Sequence, residues 1–328
     1  MTPAQASAVC DSVLDEVGRA VVGKRGQLGL VLAGIVAGGH VLIEDNPGLA
    51  KTLAARSFAQ ALGLQFRRVQ FTPDLLPSDI TGSFVYDQTK NEFAFRSGPL
   101  FAGLLLADEI NRTPPKTQAA LLEAMQEGQA TVEGRTFELP KPFHVIATAN
   151  PIEYEGTYPL PEAQLDRFLL RVSFGYPSKE EEWQVLQRRV ARRAEQITLN
   201  TILDPAGLLA VQQVAESIEV EESVGRYCVE LVEATRFHQH LLVGSSPRGA
   251  LALLLVGRAY ALINHRDYVT PEDVKAVAVA ALAHRVTMRP EMWMRSLSPA
   301  DVIEGVLNQV AAPAARADRP TYSAAVRS

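Results

Sequence analysis

The chain has 328 residues, 47% hydrophobic and 21% charged, a balance that excludes disordered and fibrous classes and leaves room for two cored domains. Its formal net charge of −5, from 32 basic and 37 acidic residues, argues against a constitutive nucleic-acid binder, whose footprint is a basic excess. The two cysteines, Cys10 and Cys228, lie far apart in no metal-ligand spacing, and the N-terminus lacks the features of a signal peptide, so a cytoplasmic protein with free thiols is expected.

In chain order, Val9, Val13, Leu14 and Val17 share one face of a helix within residues 1–20. The longest apolar tract, Leu28 to Ile43, carries four glycines and His40. It is shorter than the ~20 residues of a spanning helix, so no membrane span is expected. From about Val21 to Phe174, short β-rich runs alternate with helical segments, the pattern of a parallel sheet with helices on both faces. The spacing predicts strands at Val41–Glu44, Phe66–Phe71, Leu104–Asp108, His144–Thr148 and Leu169–Phe174. Two shorter strands, Gly82–Asp87 and Phe93–Pro99, are expected inside the long crossover Phe71–Gly103. Gly128–Phe137 reads as a hairpin turning at Glu133-Gly134.

Tyr176-Pro177-Ser178 ends the alternation, and a charged helix begins at Lys179. Residues 1–178 therefore read as an α/β core, 179–200 as a helical linker and 201–311 as a smaller all-helical domain. In the last, Thr270-Pro271-Glu272-Asp273 and Ser298-Pro299-Ala300-Asp301 each join a capping hydroxyl, a first-turn proline and an acid three residues on. The tail 312–328 is rich in Ala, Pro, Arg and Ser and reads as disordered.

After the strand Val41–Glu44 comes Asp45-Asn46-Pro47-Gly48-Leu49-Ala50-Lys51-Thr52, a tight loop and a helix that opens on Lys-Thr. In that order, loop amides and the open N–H groups of a helix N-terminus converge on one anion. Residues 45–52 are therefore candidate phosphate ligands, with Lys51 able to reach the β- and γ-phosphates of ATP and Thr52 to hold magnesium. Two positions depart from the usual glycines. Asp45 stands at the loop entry, where a side chain can point outward, and Ala50 adds a methyl while keeping its N–H; tolerable or weakened affinity is expected rather than loss. For the loop alone, an ordinary strand-to-helix turn is the alternative.

The strand Leu104–Asp108 decides between them, because it ends in two adjacent carboxylates. Ligands of doubly wound sheets sit at the carboxyl ends of the strands. Asp108 is thus placed to hold the metal, largely through its water, and Glu109 to polarise the attacking water. The strand from His144 runs into Ala149-Asn150-Pro151, where Asn150 can fix that water or contact the γ-phosphate, or only begin a turn.

Together these segments resemble an AAA+ ATPase and, within that superfamily, the MoxR family. Asn46–Thr52 matches Walker A, Leu106–Arg112 Walker B and Ala147–Pro151 sensor 1. Glu162–Phe168 matches the arginine-finger segment and Gly244-Ser245-Ser246-Pro247-Arg248 sensor 2, so the resemblance spans about residues 10–310. It implies an AAA+ P-loop NTPase core followed by a helical lid, magnesium-dependent ATP hydrolysis and a homo-hexameric ring. It also implies that Arg167 acts on a neighbour's nucleotide, that Arg248 couples lid position to nucleotide state, and that Val21-Val22-Gly23-Lys24 lines the adenine pocket. The inserted strands and the hairpin resemble the helix-2 insert and the pre-sensor 1 hairpin, candidate contacts for substrate or partner. A chaperone-like role is implied, remodelling or maturing a partner complex, often by metal-cofactor insertion, with a partner carrying a von Willebrand factor A domain. Alternatives are the motor subunit of a metal chelatase, a non-hydrolysing nucleotide-dependent scaffold and, disfavoured by the acidic balance, a DNA-remodelling ring.

Other residues carry weaker signals. Of the six histidines, His238 and His240 stand two apart on an expected helix and would not share a face, so structural or solvated roles are expected. Arg188-Arg189 and Arg192-Arg193 follow an acidic run and read as a solvated helix face.

Overall fold

The computed structural model describes residues 1–151, 157–194, 197–294 and 297–314. All but the first three residues of the tail expected at 312–328 lie outside the described residues. The chain opens on α1 (Pro3–Ala20), whose N-cap Thr2 and Gln5 satisfy each other's backbone, and α2 (Arg25–Val36). The apolar stripe of α1 is buried. Most of α2 is buried too, because it lies between the sheet and the C-terminal helices.

Next come β1 (Val41–Glu44), α3 (Lys51–Ala61), β2 (Phe66–Gln70), α4 (Pro77–Thr81) and the pair β3 (Gly82–Asp87) and β4 (Glu92–Ser97). They are followed by β5 (Leu104–Asp108), α5 (Pro115–Glu127), the hairpin β6 (Gln129–Val132) and β7 (Arg135–Glu138), β8 (His144–Ala149), α6 (Glu162–Leu165) and β9 (Leu170–Val172). Five strands make one parallel sheet in the order β2-β5-β8-β1-β9. Both faces are covered, which is why β5 can be an unbroken apolar run. Leu104 and Leu106 point into the cluster under α1, α2 and α3, while Leu105 and Ala107 point into the one under α4 and α5.

The hairpin turns at Glu133 (φ 49°) and Gly134 (φ 78°), both left-handed, the geometry that matches the twist of paired strands. It does not stand alone. Phe137 of β7 stacks on Phe95 of β4, centroids 3.9 Å apart, and Arg135 lies over the Phe84 ring of β3 at 5.0 Å. The two inserted pairs are thereby joined at one aromatic cluster.

After β9 the chain forms α7 (Lys179–Arg192), α8 (Pro205–Glu216), α9 (Glu222–Arg236), β10 (Leu241–Val243), α10 (Pro247–Ile263), α11 (Pro271–Leu282), β11 (Thr287–Met288) and α12 (Pro299–Gln309). Thr270 and Ser298 form the expected capping boxes. The antiparallel ladder β10–β11 is too short to leave a periodic signal, and none is visible in the sequence. His238 and His240 lie beyond the end of α9, with ring centroids 5.3 Å apart, which corrects their expected placement on a helix. Among the described residues, no group of three or more His, Cys, Asp or Glu could hold a metal. The helices from α8 onward share one continuous core with α1 and α2, α10 being packed on both. No described helix is long and apolar enough to cross a membrane.

Candidate active site

The sheet order opens a crevice beyond the carboxyl ends of β1, β5 and β8, and the loop after β1 turns across it. Gly48 (φ 83°) supplies the left-handed step that bends the loop back. Ala50 (φ 56°) takes a second one as the N-cap of α3, where it makes no side-chain cap bond. The first turn of α3 therefore keeps amides aimed at the loop. Lys51 Nζ donates to the carbonyl oxygens of Asn46, at 3.1 Å, and Asp45, which holds the ammonium inside the loop.

Asp45 does not point outward. Its carboxylate is buried and accepts from Ser173 Oγ at 3.0 Å, from Gly175 N at 3.2 Å and from Phe174 N. A glycine there would leave those donors of the β9 exit unpaired, so the departure from the template is an anchor between the loop and β9. The same exit holds two other expected site residues. Asn46 Nδ2 donates to Tyr176 Oη at 3.2 Å, and Lys24 Nζ donates to the Tyr176 carbonyl at 2.9 Å. Gly23 (φ 74°) lies under Glu181, whose carboxylate a Cβ at that position would strike. Pro47 and Gly48 are exposed, and Leu49 is half-buried beside them.

The two carboxylates are held by neighbours of ordinary type. Parallel pairing sets Gln70 opposite Asp108 and Ala107 opposite Ala147, which brings Thr148 beside both acids. Asp108 is 7% exposed; its Oδ1 accepts from Thr148 Oγ1 at 2.6 Å, and its Oδ2 from Arg68 Nε and Nη2 at 2.9 and 2.7 Å. Glu109 sits in the left-handed region (φ 57°), fixed by its N–H to Thr148 Oγ1 at 2.8 Å. Its Oε2 accepts from Gln70 Nε2 at 2.6 Å and Arg112 Nη1 at 2.9 Å. Thr52 Oγ1 lies 3.4 Å from Asp108 Oδ2, so hydroxyl and carboxylate converge as a hard-oxygen pair that suits magnesium. Asn150 is buried, and its carbonyl accepts from Asn111 Nδ2 at 3.2 Å. Arg68 and Gln70 carry no motif, and Thr148 lies within the sensor 1 segment without being singled out there; only the strand order and register reveal what the three hold.

The arginines occupy a different place. Arg167 follows α6, half-buried, and its side chain makes no hydrogen bond or ion pair among the described residues. Its neighbour Asp166 accepts from Arg285 Nε at 2.8 Å, and Arg248 Nε lies 3.8 Å from the same carboxylate. The Arg285 side chain is 3% exposed and also donates to the carbonyls of Phe168 at 2.8 Å and Leu169 at 3.2 Å. Arg248 is thus brought beside Arg167, and no polar partner ties it to residues 45–52.

Residues 40–170 match the ATPase family associated with various cellular activities (AAA), and residues 233–305 match the AAA lid domain. The chain is 45% identical to the uncharacterized protein YeaC of Bacillus subtilis, over 92% of this chain and 94% of that protein. It is 44% identical to the Mycobacterium tuberculosis protein named Chaperone MoxR1, over 91% of this chain and 81% of that one. The crystal structure of a Cytophaga hutchinsonii protein classed as an ATPase superposes with a TM-score of 0.88 at 42% identity, covering 95% of this chain and 97% of that one. With this crevice at the sheet's carboxyl ends and these relatives along nearly its whole length, the chain belongs to the MoxR family of AAA+ ATPases, nucleotide-binding enzymes that hydrolyse ATP.

Proposed function

We propose that this chain is a cytoplasmic, magnesium-dependent ATPase working as a homo-hexameric ring. Its turnover remodels or matures a partner protein complex, with a von Willebrand factor A protein as co-factor in that task. The convergence of Thr52, Asp108 and Glu109 beside the Lys51 loop carries the reading. Lys51 leaves its loop carbonyls for the β- and γ-phosphates, while the backbone N–H groups of Asn46, Gly48, Leu49 and Ala50 and of the start of α3 surround them. Thr52 and Asp108 hold magnesium, which when bound offsets the phosphate charge. Glu109 accepts the proton of the attacking water, and Asn150 holds that water or the γ-phosphate in line. Arg167, whose side chain has no polar partner among the described residues, serves the neighbour's nucleotide. Arg248 travels with it through Asp166, so lid position and finger position change together. The name of the mycobacterial relative supports the chaperone part of the reading.

ATP hydrolysis per subunit across a wide range of protein concentration tests this. The rate should rise as subunits assemble, and Glu109→Gln should keep ATP binding while losing turnover. Full activity in protein that light scattering shows to be monomeric would overturn the ring, and undiminished turnover in Glu109→Gln would overturn the role of Glu109.

A further inference from the structure

Asp108 is buried next to a second carboxylate, Glu109, and a buried acid without a compensating charge is strongly disfavoured. For Asp108 the compensation comes from β2, while Glu109 is paired with Arg112 at 2.9 Å. Arg68 closes a fork on Oδ2 through Nε (2.9 Å) and Nη2 (2.7 Å), and the same Nη2 donates to Gln70 Oε1 at 2.9 Å. Gln70 in turn donates to Glu109 at 2.6 Å, so one face of β2 fastens both acids. Oδ2 is also the oxygen nearest Thr52 Oγ1, the other expected ligand of the metal.

We infer that Arg68 is the resident counter-ion of the metal carboxylate, and that its guanidinium and a divalent cation compete for Asp108 Oδ2. Two cations on one oxygen repel, so metal binding requires Arg68 to withdraw. The fold gives it a place to go. β2 is the edge strand of the sheet, the Arg68 side chain is 50% exposed, and among the described residues its polar partners are Asp108 and Gln70. With Arg112 pairing Glu109, Arg68 thus compensates Asp108 when the site is empty, sets the metal affinity of the site and ties metal loading to a movement on β2. That strand leads directly through α4 to the inserted β3–β4 pair. The inference rests on the reading of Asp108 as the metal residue.

The test is Mn2+ affinity by electron paramagnetic resonance, measured on full-length protein in excess over ADP so that free nucleotide takes up no metal. Arg68→Gln removes the competing charge and should bind Mn2+ at least about tenfold more tightly. Its metal-free form should melt lower than wild type and regain stability on adding Mn2+. Arg68→Lys keeps the charge and should stay near wild type, which separates competition from damage to the fold. Equal or weaker Mn2+ affinity in a folded Arg68→Gln protein would overturn the inference. Asp108→Asn, expected to lose Mn2+ in either background, separates the two readings. If it binds Mn2+ normally, Asp108 is not the metal residue; if it loses Mn2+ while Arg68→Gln gains nothing, only the role of Arg68 falls.

Discussion

The two charged ends of the nucleotide face are built in opposite ways. On the β5 side, Asp108 and Glu109 are fastened by donors from β2 and β8, Glu109 even at its backbone N–H. On the α6 side, Arg167 has no polar side-chain partner among the described residues, and Arg248 touches only the edge of Asp166. What is rigid there is the mounting, since Arg285 is buried and grips Asp166, Phe168 and Leu169. Acids that act on the subunit's own nucleotide can be set in place during folding. In the ring proposed above, Arg167 serves a neighbour and stays unpaired until that neighbour arrives, and the chain fixes only its base.

The sharpest way to break that contrast is Arg167→Ala. It should lower turnover by roughly a thousandfold, about 4 kcal/mol of transition-state stabilisation, while leaving ATP binding to the isolated subunit unchanged. Mixing it with Glu109→Gln should restore part of the activity, because some interfaces would pair an intact finger with an intact acid. Absence of restoration in rings shown to be mixed would place Arg167 on its own subunit's nucleotide.

A smaller effect probes how the fastened side is anchored. Asp45→Ala strands the Ser173 hydroxyl and the amides of Phe174 and Gly175. Losing these charge-assisted bonds in a buried place should destabilise the fold by about 3 kcal/mol, read by urea unfolding. A shift below about 1 kcal/mol would mean that water replaces the carboxylate freely.

Acid should loosen the opposite end of the sheet, where β1 and β8 begin. His40 donates from Nε2 to the Met125 carbonyl at 3.1 Å and accepts at Nδ1 from Val145 N at 3.0 Å, so it joins α5 to β8 only as the neutral ring. Burial, and then the nearby His144, push its pKa down to about 4. The unfolded chain takes up the proton first, near pH 6.5, so this contribution is intact above that value and is lost as pH falls towards 4. Between pH 7 and pH 5 the loss should be about 2 kcal/mol, seen as a falling urea midpoint, with a shallower slope in His40→Gln. A flat profile in wild type would show that the ring is already charged.

Much of this arrangement is legible in the sequence, and the division follows from physics. The loop at 45–52 and the strand ends at Asp108 and Asn150 are local signals, each complete within a dozen residues. Arg68 and Gln70 matter only because β2 and β5 lie side by side in a given register, and parallel neighbours far apart in sequence leave no local trace; Thr148 stands in the sensor 1 segment, but its bonds to both acids follow only from the β5–β8 register. Arg285 reads as an ordinary helix-end arginine until α11 is packed against β9. Asp45 shows the limit of a template. Its side chain was expected to point outward from the loop entry, whereas this chain uses the carboxylate to tie down the exit of β9.

The smallest effect concerns the other departure from the template. Ala50 and Glu109 share nearly the same left-handed backbone, φ 56° and 57°, one on each side of the phosphate position. Glu109 is held there by bonds at its N–H and its carboxylate, whereas Ala50 has only the loop around it and a partly buried methyl. An L-residue in this region is disfavoured by about 1–2 kcal/mol, and glycine removes that strain while adding roughly 0.5–1 kcal/mol of unfolded-state entropy. Ala50→Gly should therefore gain a net ~0.5 kcal/mol of stability and bind ATP about twofold more tightly, since the loop reaches its phosphate geometry without opposition. Ala50→Val should move both measurements the other way, because a β-branched side chain tolerates positive φ less well. If Ala50→Gly instead weakens ATP binding, the strained alanine is holding the loop in its working shape, and strain would then be a device common to both sides of the site rather than to the carboxylate side alone.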